Sequence, residues 1–145
     1  MQSTTTCGAS PMKETTDFPP NYNQILISIP KVADGKPIFC YGDTIHNPYK
    51  IHLTPDLIVH EEKHKEQQGI APEVWWEKYL ASVEFRFQQE LEAYGTQYAF
   101  MKPHVHGKLR EWLLDKLAEA LSGELYGGII TFAEARSKIR NYAHH

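Results

Sequence analysis

The stretch Leu57–Gly69, LIVHEEKHKEQQG, carries His60 and His64 four positions apart, with Glu61 directly after the first. On a helix, residues four apart share a face with β-carbons roughly 6 Å apart. Both imidazoles can then reach one ion at the roughly 2.0–2.1 Å of a zinc–nitrogen bond. Glu61 projects about 100° further round the axis. A carboxylate there can reach a water on the ion without ligating it, which is the position a general base needs. Random shuffling of this composition produces His-Glu-x-x-His only a few times per hundred chains. Alone, the stretch also reads as a solvated polar helix face. Leu57, Ile58 and Val59 weigh against that reading, because a purely solvated helix needs no apolar entry.

A third ligand is expected from the segment that follows. Pro72 to about Met101 has a helical pattern with a possible interruption near Ser82, and Pro103 stops it. With Leu80 as reference, Trp76, Val83, Phe87, Leu91, Tyr94 and Tyr98 fall within an arc about 80° wide, which marks the buried face. Glu90 lies at the border of that arc, between Phe87 and Tyr94 along the axis. Glu92 points away, and Glu84 sits about a turn and a half earlier. A carboxylate held beside an apolar stripe is costly unless it has a partner such as a metal. Glu90 is therefore the expected third ligand; its alternative is a rim glutamate paired with lysine or arginine.

These side chains need elements to hold them. Thr54 suits an N-cap, Pro55 the first helical position and Asp56 the positive helix end, so the motif helix should begin there and end at Gly69. Upstream, Asn23–Pro30 reads as a short strand or short helix, and ADGKP as a turn. Pro37–Asp56 is rich in Ile, Phe, Tyr and Thr and reads as a hairpin or a pair of extended segments. Downstream, about Gly107–Leu121 carries Leu109, Trp112, Leu113, Leu117 and Leu121 at helical spacing, and Gly123 closes it. Thr131 and Glu134 form a capping-box pair that opens a terminal helix. The expected fold is α+β and predominantly helical, one domain over residues 21–145 behind a flexible polar tail of residues 1–20.

Composition narrows the function classes. A chain of 145 residues, 41% hydrophobic, suffices for one packed core, and its net charge of −3 offers no basic field for phosphates. Nucleic acid is not the expected partner. Cys7 and Cys40 allow at most one bridge and no cysteine-rich metal site. Neither a signal segment nor a run near the roughly 20 apolar residues of a membrane span is visible, so a soluble cytoplasmic protein is expected. The His144–His145 pair is assigned no role.

HEEKH followed by ELEAY resembles the HExxH zinc metallopeptidases of the gluzincin type, in which a second helix supplies a glutamate. LIVHEEKHKEQ, WWEKYL and FRFQQELEAYGTQY are similar to small metallopeptidase-like domains of phage and bacterial genomes. The likeness covers about Tyr41–Tyr98, with a weaker echo in LYGGIITFAEA. It implies one Zn2+ ion on His60, His64 and Glu90, and hydrolysis of a peptide bond by a zinc-bound water with Glu61 as base. Many relatives carry an acidic residue four places after the ligand glutamate, where it orients a zinc-bound histidine; Tyr94 stands there in this chain. The polar Glu62–Lys63 pair within the motif suggests a shallow or open groove. Oxyanion or supporting roles fall to Tyr94 and Tyr98, with Tyr126, His104 and His106 as further candidates, and His104 and His106 form a pair able to contact a metal. The implied partner is a protein or peptide substrate, and Tyr49–Thr54 is placed as an edge strand to which it could add. The alternatives are a zinc-stabilised binding or regulatory module with little turnover, and a helical domain without metal.

Overall fold

The computed structural model describes residues 11–143. Strand β1 is Lys13–Thr15, helix α1 is Tyr22–Ser28, and a 3-10 turn follows at Pro30–Asp34. Strands β2 (Phe39–Tyr41) and β3 (Thr44–His46) precede helix α2, Pro55–Gln68. Helices α3 (Pro72–Ala81) and α4 (Val83–Met101) lead through a 3-10 turn at Lys102–His104 to α5, Gly107–Leu121. A last 3-10 turn, Glu124–Tyr126, connects to α6, Phe132–Tyr142. The fold is α+β and predominantly helical. No helix among the described residues is long and apolar enough to cross a membrane.

The sheet has strand order β1-β3-β2, with β1 parallel and β2 antiparallel to β3. The β2–β3 hairpin turns through Gly42, whose φ of 62° is available to glycine at little cost. Strand β1 corrects the expectation of a flexible tail through residue 20. Lys13 N–H donates to Asp43 O at 2.8 Å, Asn47 N–H donates to Thr15 O at 2.8 Å, and His46 Nδ1 lies 3.0 Å from Asp17 O. Short polar residues are held here by backbone pairing, which apolar patterning does not reveal. Cys7 and His144–His145 lie outside the described residues.

Tyr49–Thr54 is not a strand. Asn47 folds this segment into a loop: its Nδ2 donates to Ile51 O at 2.8 Å and its Oδ1 accepts from Ile51 N–H at 3.0 Å. The undecided stretch Asn23–Pro30 contributes to helix α1, with Ile25 fully buried. Ser82 adopts extended dihedrals and its Oγ accepts from Phe85 N–H at 3.1 Å, so it ends α3 and caps α4. On α5 the buried residues are Leu114, Leu117, Ala118 and Leu121, whereas Leu109 and Trp112 are each 56% exposed. Only the last turns of the expected stripe therefore face the core.

Two apolar clusters flank the motif helix. One joins α4, α5 and α6 around Phe87, Leu114, Leu121 and Ile139; the other joins α1, α3 and β2 around Ile25, Phe39, Trp75 and Trp76. Helix α2 packs on α4 and β2. Its fully buried residues are His60, Glu61, His64 and Gln68, while Leu57, Ile58 and Val59 are only half-buried. The expected apolar anchor is thus secondary. Helix α2 presents a polar face to the interior, and such a face is stable only if its groups are partnered.

Candidate metal centre

Glu90 is the acid that α4 delivers to the two motif histidines. Its Oε1 lies 3.1 Å from His60 Nε2, and its Oε2 lies 3.2 Å from His64 Nε2 and accepts from Tyr79 O–H at 2.6 Å. One potential ligand atom from each of His60, His64 and Glu90 lies within 4.8 Å of the others, and all three residues are buried. Two imidazole nitrogens and one carboxylate oxygen form a donor set of the kind that holds divalent first-row ions. Facing ligand atoms on adjacent helices, with their far sides already hydrogen-bonded, fit a resident divalent cation.

Those far-side partners are specific. His60 Nδ1 lies 2.9 Å from Gln97 Oε1, and Gln97 Nε2 donates to Asp56 Oδ2 at 2.7 Å. Asp56 Oδ1 accepts from the Thr54 hydroxyl at 2.6 Å, so the Thr54 side chain serves Asp56 rather than a helix N–H. His64 Nδ1 lies 2.8 Å from Gln67 Oε1, and Gln67 Nε2 donates to Gln89 O and Glu92 Oε1, both at 3.0 Å. Tyr94, four positions after Glu90, packs edge-on against the His60 ring with centroids 4.6 Å apart. Helical spacing held signals for these partners: Asp56 precedes His60 by one turn, Gln67 follows His64 by one, and Gln97 follows Glu90 by two. Amides on a helix face are too common to be singled out without their partners.

Glu61 stands beside this group without belonging to it. Its Oε2 is 3.9 Å from His60 Nε2, and the residue is 5% exposed. It lines a cavity of about 90 Å³ together with His60, His64 and Glu90, and the walls include Ile25, Ile29, Val32 and Leu125. Of the Glu62–Lys63 pair that suggested a shallow or open groove, Glu62 is exposed and Lys63 half-buried, and the pocket beside His60, His64 and Glu90 is small and partly open to solvent.

The tyrosines separate by position. Tyr98 is 3% exposed within the α4–α5–α6 cluster, so it serves packing rather than the site. Tyr79 lines the cavity with its hydroxyl committed to Glu90. Tyr126 also lines it, and its hydroxyl lies 3.2 Å from that of Tyr94. His104 and His106 are exposed and stand apart from the cluster.

Edge addition to β2 is restricted beside the motif helix. Cys40 O already accepts from Gln68 Nε2 at 2.7 Å and from Trp76 Nε1 at 3.1 Å, while Gly42 N–H donates to Gln68 Oε1 at 2.7 Å. The Gln68 amide occupies the place a neighbouring strand's peptide would take.

Electrostatics follow from burial and this geometry. Burial raises the pKa of the Glu61 carboxyl, against the lowering effect of the two histidines. Burial would also raise that of Glu90, but His64 and His60 hold it well below the usual carboxylate range. For His64, burial acts to lower the pKa, and Glu90 and Glu61 outweigh it, raising it to about 9. Burial and the Glu90 charge push the Tyr94 and Tyr126 hydroxyls up, which preserves them as donors. Burial also raises the Cys40 thiol, which stays protonated and donates toward Gly42 O.

Comparisons with protein-family models, curated proteins and solved structures find no match for this chain.

Proposed function

We propose that this protein is a zinc-dependent hydrolase of peptide bonds, with Glu61 as general base. The observation that carries this reading is the meeting of His60, His64 and Glu90 from two helices around one point, with Glu61 beside them on the cavity wall. The likeness of HEEKH and ELEAY to gluzincins supports it. His60, His64 and Glu90 would hold the ion, which when bound supplies Lewis-acid polarisation of a carbonyl and a lowered water pKa.

The chain's own groups supply the rest. Glu61, desolvated and with its pKa raised, accepts a proton from the attacking water and returns it to the leaving nitrogen. Tyr79 donates to Glu90, whereas the Tyr126 hydroxyl can accept from Tyr94 and donate its own hydrogen to the developing oxyanion. Apolar walls limit competing water. The substrate is a protein or peptide, and the setting is the cytoplasm.

A second reading draws on the size of the cavity. Small-molecule sites usually measure about 300–1,000 Å³, and this pocket of about 90 Å³, partly open to solvent, is below that range. That small volume favours a zinc-stabilised binding or regulatory module with little turnover. Metal analysis and Glu61→Gln discriminate between the two readings. In a His144→Ala/His145→Ala background, one zinc per chain is expected and His60→Ala should abolish it. Glu61→Gln should keep the zinc and lower peptide turnover by about 10²–10⁴-fold. Retained biological activity in Glu61→Gln would select the binding module, and zinc-free parent protein would end both readings.

A further inference from the structure

Tyr94, four positions after Glu90, meets the His60 ring with its own ring and has its hydroxyl beside that of Tyr126, so it accepts from neither motif histidine. We propose that two side-chain amides do this work here: Gln97 and Gln67 are positioning residues that place the proton of each motif histidine on Nδ1 and leave Nε2 as the metal-ligating atom. The inference rests on the metal reading above.

An amide group has a donor end and an acceptor end, and the two cannot be told apart by shape. Gln67 Nε2 faces the carbonyl oxygen of Gln89, which has no hydrogen to give, as well as Glu92 Oε1. That end must therefore be the NH2. Gln67 Oε1 is then an acceptor against His64 Nδ1 at 2.8 Å, and Nδ1 must carry hydrogen. The second chain has the same logic. Asp56 Oδ1 already accepts from Thr54, Oδ2 receives the Gln97 NH2 at 2.7 Å, and Gln97 Oε1 faces His60 Nδ1 at 2.9 Å.

In both cases the ring nitrogen fixed as donor points away from Glu90, and the nitrogen that faces Glu90 is Nε2. A ring so held has one tautomer available when neutral, with its lone pair directed at the cation position. The two chains are anchored on different elements. One ends on the first turn of α2; the other remains at the α2–α4 contact. Each amide is also fixed at both ends, so it limits rotation of its ring as well as its protonation pattern.

The test exchanges donor and acceptor along the first chain. In full-length protein carrying His144→Ala and His145→Ala, zinc affinity is measured by competition with a chromophoric chelator. Gln97→Met, close in shape but without hydrogen bonds, should weaken zinc by about 10–100-fold. Gln97→Glu should also weaken it, because a carboxylate then faces Asp56. Adding Asp56→Asn to Gln97→Glu restores an acceptor toward His60 and a donor behind it, so the pair should recover most of the loss. Nitrogen-15 spectra of the zinc-loaded parent should show hydrogen on Nδ1 of both His60 and His64. Parental affinity in Gln97→Met, a double variant no better than Gln97→Glu, or hydrogen on Nε2 of either ring would overturn the inference while leaving zinc binding intact. Failure of the unsubstituted protein to bind zinc would instead overturn the metal reading and this inference with it.

Discussion

His60 and Glu61 are neighbours in sequence, yet they are assigned different work by what lies behind them. The His60 ring is held from its far side by Gln97, whereas Glu61 lies in the cavity wall with burial raising its pKa. The motif residues and Glu90 were legible because a 3.6-residue period places them on facing sides of two helices. The hydroxyl at the site was not, because Tyr94 and Tyr98 share the period of the Glu90 helix while Tyr126, on a separate turn, shares none. Only three-dimensional packing separates Tyr98, in the core, from Tyr126, in the cavity. Removing the Tyr126 hydroxyl should therefore cost turnover without costing metal. On a peptide that the protein cleaves, Tyr126→Phe should lower kcat by about 10²–10³-fold with zinc content and KM close to parental. Parental kcat in this variant would remove Tyr126 from the reaction.

At the scale of elements, local chemistry was readable wherever a cap or a breaker marks a boundary. Pro55 and Gly69 bracket α2, Ser82 separates α3 from α4, and the Thr131–Glu134 capping box opens α6. What escaped was pairing between distant backbone segments. Lys13–Thr15 has no apolar pattern and becomes a strand because β3 offers it partners, while Tyr49–Thr54 looks strand-like and is folded into a loop by Asn47. Contacts between helices were likewise invisible at Gly95. Inside α4 a glycine costs about 1 kcal/mol relative to alanine, yet a β-carbon at Gly95 would collide with the Tyr142 ring and fall 2.9 Å from Tyr142 Cβ. The approach of α6 to α4 uses that missing side chain. Gly95→Ala should therefore lower stability by about 1–3 kcal/mol despite the better helix former, seen as a lower urea midpoint with an unchanged slope. A midpoint at or above the parental value would show that α6 can shift freely.

For the whole molecule, the polar face of α2 couples stability to pH and, on the proposed metal reading, to zinc. In the metal-free protein His64 has its pKa raised from its ordinary 6.5 to about 9 by Glu90 and Glu61, working against burial. A raised folded-state value means the native state holds that proton more tightly, so the stabilisation is complete below about pH 6.5 and is lost as pH rises through about 9. Glu61, also raised, contributes in the same direction above the ordinary carboxylate range. Glu90 is lowered, so its share is present above its ordinary value and is lost on acidification. Metal-free protein should therefore be most stable near pH 5–6.5 and weaken toward pH 9. If zinc binds as proposed, it should reverse the alkaline limb, because a ligating Nε2 must give up its proton and the ion would then replace the attraction that the proton supplied. The increase in Tm on adding saturating zinc should be small near pH 6 and grow steadily toward pH 9, since binding of the folded state stabilises it by mass action. Thermal unfolding of chelator-treated and zinc-loaded His144→Ala/His145→Ala protein across that range measures the difference directly. An increment of equal size at both ends would mean that the cation does not displace protons from His64, and the centre would have to be rebuilt around other ligand atoms.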